Sequence, residues 1–390
     1  MGIDLVSACV FCAAFMLGTD LSTPPGLTAD MGLSYATLSR KYEYIPGHDE
    51  TSDVTPKFVV IGIGNAIAPS GDLGAGTPAS EWRLRFAVGP SHDEAARRPN
   101  VNYPDLVQVA AKGNGRYENF AALGRFRLGE SDSVEAAVDR RSHKATDLVN
   151  IDLSDHSVSE ERSLGAERLD GALGWRHRWN HFEAALAGRW ARLTGFNATA
   201  GANMNNSGSI FGFDAEGRMH VQRWTAVLHF ERLSGSAGLE EQYFPSFTQH
   251  NGSAPALLEA FRAGVGYSWP KTDLFVSATY DRQQLPWVSL AVLGSETVTM
   301  DDGFHPDSNN KEYLFDLSAR HLFTPYLRIQ ASIWLGFGDD TVTLTDAVGG
   351  GRAPIVFDVK RRGDFGGGLS KALGSPETVL YVGASFLVGR

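Results

Sequence analysis

Two short serine–histidine runs, Ser142-His143 and Asp155-His156-Ser157, are the residues best equipped for chemistry in this chain. A serine nucleophile needs a base within hydrogen-bond reach and a third group to orient that base. Ser142 and His143 are neighbours in a segment that alternates like a strand, so their side chains point apart. Asp155-His156-Ser157 stands in a polar stretch, where such a trio is ordinarily just solvated. Catalysis is not expected. The eleven histidines are scattered. His177 and His181 flank one turn, His220 and His229 fall on neighbouring segments, and none has the spacing of a metal-ligand pair on a helix. Gly62, Gly64, Gly71, Gly74 and Gly76 lack the strand–turn–helix setting of a nucleotide fingerprint. Cys9 and Cys12 are the only cysteines and share the first apolar stretch, so a chain cleaved after it keeps none. Neither a disulfide framework nor a cysteine-based metal site follows. No cofactor and no metal are expected, and a formal net charge of -10 argues against a nucleic-acid partner.

The informative spacing is that of the ordinary charged residues, which recur at every second position. Around the turn Phe323-Thr324-Pro325-Tyr326, Tyr313, Phe315, Leu317 and Ala319 alternate with Glu312, Asp316, Ser318 and Arg320. Beyond it Leu327, Ile329, Ala331, Ile333, Leu335 and Phe337 alternate with Arg328, Gln330 and Ser332. Each segment thus carries one apolar and one polar face. Soluble sandwich strands average about 5–6 residues. These run to roughly a dozen, the length a tilted strand needs to cross a bilayer. After the first twenty residues no apolar run approaches the roughly 18 of a spanning helix. The pattern predicts an all-β, antiparallel transmembrane barrel in one domain over 26–390.

Candidate strands fall at 31–45, 57–67, 80–90, 113–129, 132–145, 163–179, 182–197, 207–221, 223–235, 257–269, 272–283, 311–323, 326–339, 354–371 and 377–389. Short connections at 129–131, 180–181, 221–222, 270–271, 324–325 and 374–376 contrast with long polar ones near 46–56, 68–79, 91–112, 146–162, 198–206, 236–256, 284–310 and 340–353. Short turns on one side and long loops on the other are the asymmetry of outer-membrane barrels. Aromatics gather at the short turns: Trp175, Trp179 and Phe182, then Trp224, Trp269, Phe323 and Tyr326. That placement predicts an interfacial girdle. Fifteen candidates conflict with the even number such barrels use. We expect 14 strands, with 16 as the alternative, and place the surplus among 31–45, 57–67 and 80–90. A second conflict is that a final strand after a short inner turn ends outside the cell. Either 354–389 is mispaired or the turn near Pro376 faces outward.

The stretch from Tyr381 to Val388 resembles the assembly signal of bacterial outer-membrane proteins: Gly383 matches its glycine, Phe386 its aromatic and Val388 its final hydrophobic position. The chain as a whole resembles porin-like outer-membrane β-barrels, over most of 31–390. The resemblance implies recognition by the barrel-assembly machinery, residence among outer-membrane lipids and a bacterial outer-membrane location. Residues 1–25, apolar from Leu5 to Leu17 but without a leading lysine or arginine, read as an atypical export signal.

Charges on a lipid face at mid-bilayer cost about 2–4 kcal/mol for Arg or Lys, so the polar face must meet water. Alternation assigns to the lumen Asp214, Glu216, Arg218, His220, His229, Glu231, Arg262, Asp281, Glu312, Asp316, Arg320, Arg328, Lys360 and Arg362, with Ile355, Phe357 and Val359 outside. The 284–310 segment is a candidate inserted loop, with Val292, Val298 and Met300 as anchors and Asp301, Asp302 and Asp307 facing the arginines. The expected function is a water-filled channel for small hydrophilic solutes or ions. Alternatives are a scaffold or export conduit for a partner protein or surface lipoprotein, and a lipid-acting enzyme at the rim.

Overall fold

The chain folds almost entirely as antiparallel strand, as the period-two pattern demands. The computed structural model describes residues 26–46, 57–100, 106–153, 155–198, 200, 202–243, 249–285, 304–346, 355–361 and 377–388. In chain order the strands are β1 (Gly26–Pro46), β2 (Lys57–Gly76), β3 (Ser80–Asn100), β4 (Leu106–Arg127) and β5 (Asp132–Leu153). Then follow β6 (Ser157–Arg178), β7 (Phe182–Ala198), β8 (Ala202–Val221), β9 (Trp224–Tyr243) and β10 (Gln249–Ser268). Last come β11 (Thr272–Leu285), β12 (Phe304–Thr324), β13 (Leu327–Asp346), β14 (Ile355–Arg361) and β15 (Glu377–Val388). Consecutive strands pair from β1 to β13, and β14 and β15 join β13 back to β1. The sheet closes on itself, so every strand position around the barrel has a neighbour on both sides among the described residues.

The closure resolves the strand count. Both β14 and β15 run antiparallel to β13 and to β1, and they occupy the same place in the wall, one above the other. Lys360 pairs with Asp339 and Glu377 with Gly336, so seventeen residues of this chain segment pass while three of its neighbour do. The partner β1 repeats the same offset, with Arg361 on Tyr42 and Glu377 on Arg40. The barrel therefore has 14 wall positions, the last filled by two strand pieces of 7 and 12 residues. The surplus candidate is not among the first three strands, all of which are genuine. It is the 354–389 pair, read as two strands where there is one interrupted strand. Both chain ends of the barrel then lie on the short-turn side, Ala29 against Val388. The expected turn at 374–376 lies outside the described residues, as do Gly366–Gly368 and residues 1–25.

A second correction concerns the long connections. Most of β2 to β13 run to about 20 residues, twice what the bilayer requires. β5 extends to Leu153 and β6 starts at Ser157, leaving only 154–156 between them, and β7 and β8 are joined through 199–201. The expected long loop at 68–79 is the lower end of β2 and a three-residue turn on the short-turn side, while 91–112, 146–162 and 236–256 are largely strands standing above the membrane. Their outer face meets water instead of lipid, so the apolar alternation weakens while the backbone ladder continues. Asp307 likewise belongs to β12, opposite Thr343, rather than to an inserted loop; residues 286–303 are outside the described set.

The two-residue turn Gln222-Arg223 closes β8 and β9, with Gln222 at φ 56°. A positive φ at the first central residue alone is the mark of a type II′ turn, whose twist matches that of the flanking strands. Around the short-turn rim Trp175, Trp179, Phe182, Trp224, Trp269, Phe323 and Tyr326 are all 43–69% exposed on the outside. His177 stacks on Trp179 at 4.3 Å and Trp179 on Phe182 at 5.3 Å. Tyr267 stands edge-on to both Trp224 and Trp269 at 4.7 and 4.6 Å. Trp175 Nε1–H donates to Asp132 at 2.9 Å, so its polar tip is satisfied at the rim. Above this belt the outer face is apolar, with Leu173, Leu186, Val138, Phe211, Leu228, Val276 and Phe315 each half or more exposed. Such a continuous band is stable only in lipid.

Candidate functional site

The inner face is identified by contacts that skip a strand, which only a concave surface permits. Ser91 on β3 meets His143 on β5 at 2.8 Å, Arg176 on β6 meets Glu216 on β8 at 3.0 Å, and Arg262 on β10 meets Asp316 on β12 at 3.8 Å. Arg168 on β6 reaches Glu231 on β9 at 3.2 Å, and Arg328 on β13 binds Asp30 on β1. Register carries this face from strand to strand. Asp214, Glu216, Arg218 and His220 align with Glu231, His229, Val227 and Thr225, and His229 aligns with Arg262. Asp281 faces Glu312, and Asp316 and Arg320 face Trp334 and Gln330.

The charged side chains form two tiers. Near the short-turn end Glu81 accepts from Arg125 at 3.3 Å and from Arg127 at 2.6 Å, and Arg125 donates on to Glu135 at 2.6 Å. Arg176 bridges Glu135 and Glu216, at 2.8 and 3.0 Å, and Arg218 closes on Glu216 at 2.8 Å. The upper tier centres on Arg168, which grips Asp170 with two bonds of 2.6 and 2.7 Å and reaches Glu231. Arg189 binds the other Glu231 oxygen at 2.7 Å and lies 3.5 Å from Asp214. On the opposite side of the closure Arg85 donates to Asp72 at 3.1 Å and Arg320 lies 3.7 Å from Asp273. Acids and bases interleaved around the wall let it carry many charges, those named here each paired with an opposite charge. These pairs lie within one strand or join strands up to three positions apart, so they follow the wall.

Twelve of the fourteen expected lumen residues, from Asp214 to Arg328, share this face by register. Lys360 does not. It pairs with Asp339 and Glu43, odd-numbered positions on the face of Leu335 and Leu33, whereas Ile355, Phe357 and Val359 take the inner register. The assignment of β14 is therefore inverted: a seven-residue piece alternates either way, and only pairing sets its parity. Arg362 lies outside the described residues. Gly383 takes an inner register position, opposite Gln330, while Phe386 is 64% exposed on the outside; Val388 pairs with Ala29.

Reading the earlier strands by the same alternation exposes what the lumen set omitted. Glu135, Asp139 and Arg141 on β5, and Arg168, Asp170 and Arg176 on β6, recur at even spacings and hold the centre of both tiers. Above the upper tier the inner wall turns apolar. Ala191 and Leu193, Ile210, Leu233 and Ala237, and Ala256 and Leu258 form one cluster across β7 to β10, with Leu193, Ile210 and Leu233 fully buried. Trp334 is also inward and 4% exposed, and its Nε1 has no hydrogen-bond partner among the described residues.

The serine–histidine runs do not assemble. His143 faces in and Ser142 out. His143 pairs instead with Ser91, across Gly115, where an added Cβ would stand 2.7 Å from the Ser91 hydroxyl. At the β5–β6 tip His156 pairs with Asp155 at 2.6 Å, while Ser157 donates to Asp152 at 2.9 Å. Among the described residues no group of three His, Cys, Asp or Glu is placed to hold a metal ion.

No family model matches the sequence. No curated protein matches it either. Solved structures do. A deltaS2 mutant of the TodX monoaromatic hydrocarbon channel aligns over 95% of this chain and 92% of its own, with TM-score 0.54 and 10% identity. The Ralstonia pickettii toluene transporter TbuX aligns over 93% and 90%, with TM-score 0.49 and 8% identity. A Pseudomonas aeruginosa FadL homologue aligns over 96% and 93%, with TM-score 0.47 and 14% identity. Together with the lipid-facing band, the aromatic rim and the even closure, the shared architecture makes this chain a bacterial outer-membrane β-barrel.

Proposed function

We propose that the barrel is a passive channel for small solutes across the outer membrane. The observation that carries this reading is the wall-following charge girdle. A closure of fourteen strands is wider than side chains alone fill, and the ion pairs join strands no more than three positions apart along the wall. A paired, polar wall offers hydrogen bonds to water and small polar solutes without a net trap for either ion sign. Hydrophilic solutes are therefore the first reading.

A second reading, an apolar solute, draws on the inner cluster of Leu193, Ile210, Leu233 and Leu258. An apolar cluster above a polar girdle is the kind of wall that holds an aromatic or aliphatic molecule. The TodX structure with the same fold is titled a monoaromatic hydrocarbon channel. Two measurements on the full chain separate the readings. Ohmic conductance in planar bilayers with swelling of sugar-loaded liposomes supports a hydrophilic path. Silence in both, with saturable toluene uptake lost in Leu233→Glu, supports an apolar one. Failure of all three overturns the channel.

A further inference from the structure

The outer face of β4 to β7 changes character abruptly at one height. Rows of directly paired residues rise from the rim as Phe126-Val134-Trp175-Leu186, Gly124-Ala136-Leu173-Gly188 and Ala122-Val138-Gly171-Trp190, all without charge. The next three rows read Phe120-Arg140-Leu169-Arg192, Glu118-Ser142-Glu167-Thr194 and Arg116-Lys144-Gly165-Phe196. Cations fill the rows on either side of a carboxylate row. Arg140 begins eight residues above Asp132, which at a rise of about 3.3 Å and a tilt near 40° is about 20 Å above the rim. That is within about 5 Å of the top of a hydrocarbon band about 25 Å tall, on the side away from the short periplasmic turns, and within reach of a long guanidinium side chain.

We propose that Arg116, Arg140, Lys144 and Arg192 form a binding site for the phosphate groups of the phosphorylated glycolipid in the outer leaflet. The two carboxylates preset the arginines. Arg140 donates to Glu167 at 2.7 Å and to Glu118 at 3.4 Å, and Arg116 lies 2.8 Å from Glu118. Four cations against Glu118 and Glu167 leave the patch positive in a protein whose net charge is -10. Arg116 remains 67% exposed, Lys144 and Arg192 are exposed, and Ser142 is buried to 4% beneath the charged side chains as the floor of the patch. Guanidinium and ammonium groups held at the hydrocarbon boundary meet the layer where lipid phosphates lie, and each pairs with phosphate by charge-assisted hydrogen bonds. Acyl chains of the same lipid then run down over Leu169, Val138 and Leu173, so one molecule uses both sides of the boundary.

The test uses the full chain refolded in detergent, with native mass spectrometry of added lipid A as the readout. Wild type is expected to retain bisphosphorylated lipid A, dephosphorylated lipid A at least ten-fold less, and to hold its lipid in millimolar inorganic phosphate. Arg140→Glu/Lys144→Glu/Arg192→Glu is expected to lose retention about ten-fold or more. The milder Arg140→Gln/Lys144→Gln/Arg192→Gln keeps the result readable if charge reversal prevents folding, and is expected to lose several-fold. Arg232→Glu, on the outer face of β9, is the sector control and is expected to retain lipid A. Equal retention of the dephosphorylated lipid, full displacement by phosphate alone, wild-type retention by the glutamine variant, or an equal loss in Arg232→Glu overturns the assignment.

Discussion

Placing an arginine at Leu173 tests the physical basis of the fold directly. Leu173 is 64% exposed on the outer face of β6, five residues above Arg178 at the rim. At about 3.3 Å per residue and a tilt near 40° that is about 13 Å, half way through an apolar band of about 25 Å. A cation at that depth costs about 2–4 kcal/mol, whereas at the interface the cost falls to about 0–1 kcal/mol. Leu128, 67% exposed in the turn after β4, is the matched interface site. Were the barrel surface bathed in water, both substitutions would lie within about 0.5 kcal/mol of wild type. Reversible urea unfolding from phosphatidylcholine vesicles, followed by tryptophan fluorescence, reads the difference. We expect Leu173→Arg to lose about 2–4 kcal/mol and Leu128→Arg less than about 1 kcal/mol. Equal, near-zero changes, or a larger loss at Leu128, would refute a lipid-facing wall.

Three further outcomes follow from the interior and the turns. Glu231→Ala strips the shared carboxylate from Arg168 and Arg189, bonded at 3.2 and 2.7 Å, and is expected to cost about 3–5 kcal/mol in the same unfolding assay; a cost under 1 kcal/mol would show that lumen water already screens both arginines. Gln222→Val puts a β-branched side chain at φ 56° and is expected to cost about 1–2 kcal/mol, while Gln222→Asn stays neutral or better. If the lumen conducts, Arg320→Glu with Arg328→Glu should move reversal potentials in a KCl gradient toward cation preference, since both face inward beside Asp273 and Asp30. Unchanged potentials would remove these residues from the ion path.

The sequence by itself determined where lipid must touch this protein. Phe315, Leu317, Leu335 and Phe337 announce their face because hydrocarbon on one side and water on the other impose a period of two. The same logic marked the aromatic rim at Trp179, Trp224 and Trp269, and the acids and bases of β8 to β13. Where the outer face meets water instead of lipid the constraint lapses, so the upper halves of β5, β6 and β9 read as loops although their backbone is paired. Tertiary structure alone decided what depends on partners. Fourteen strands was expected from the sequence, but only the pairing of both β14 and β15 with β1 and β13 showed which candidates share one place and set the register of Lys360. Curvature brought Arg168 to Glu231 and Ser91 to His143, contacts that no spacing along the chain encodes. Alternation is a property of one strand in its solvent. Register, closure and strand-skipping ion pairs are properties of the whole sheet.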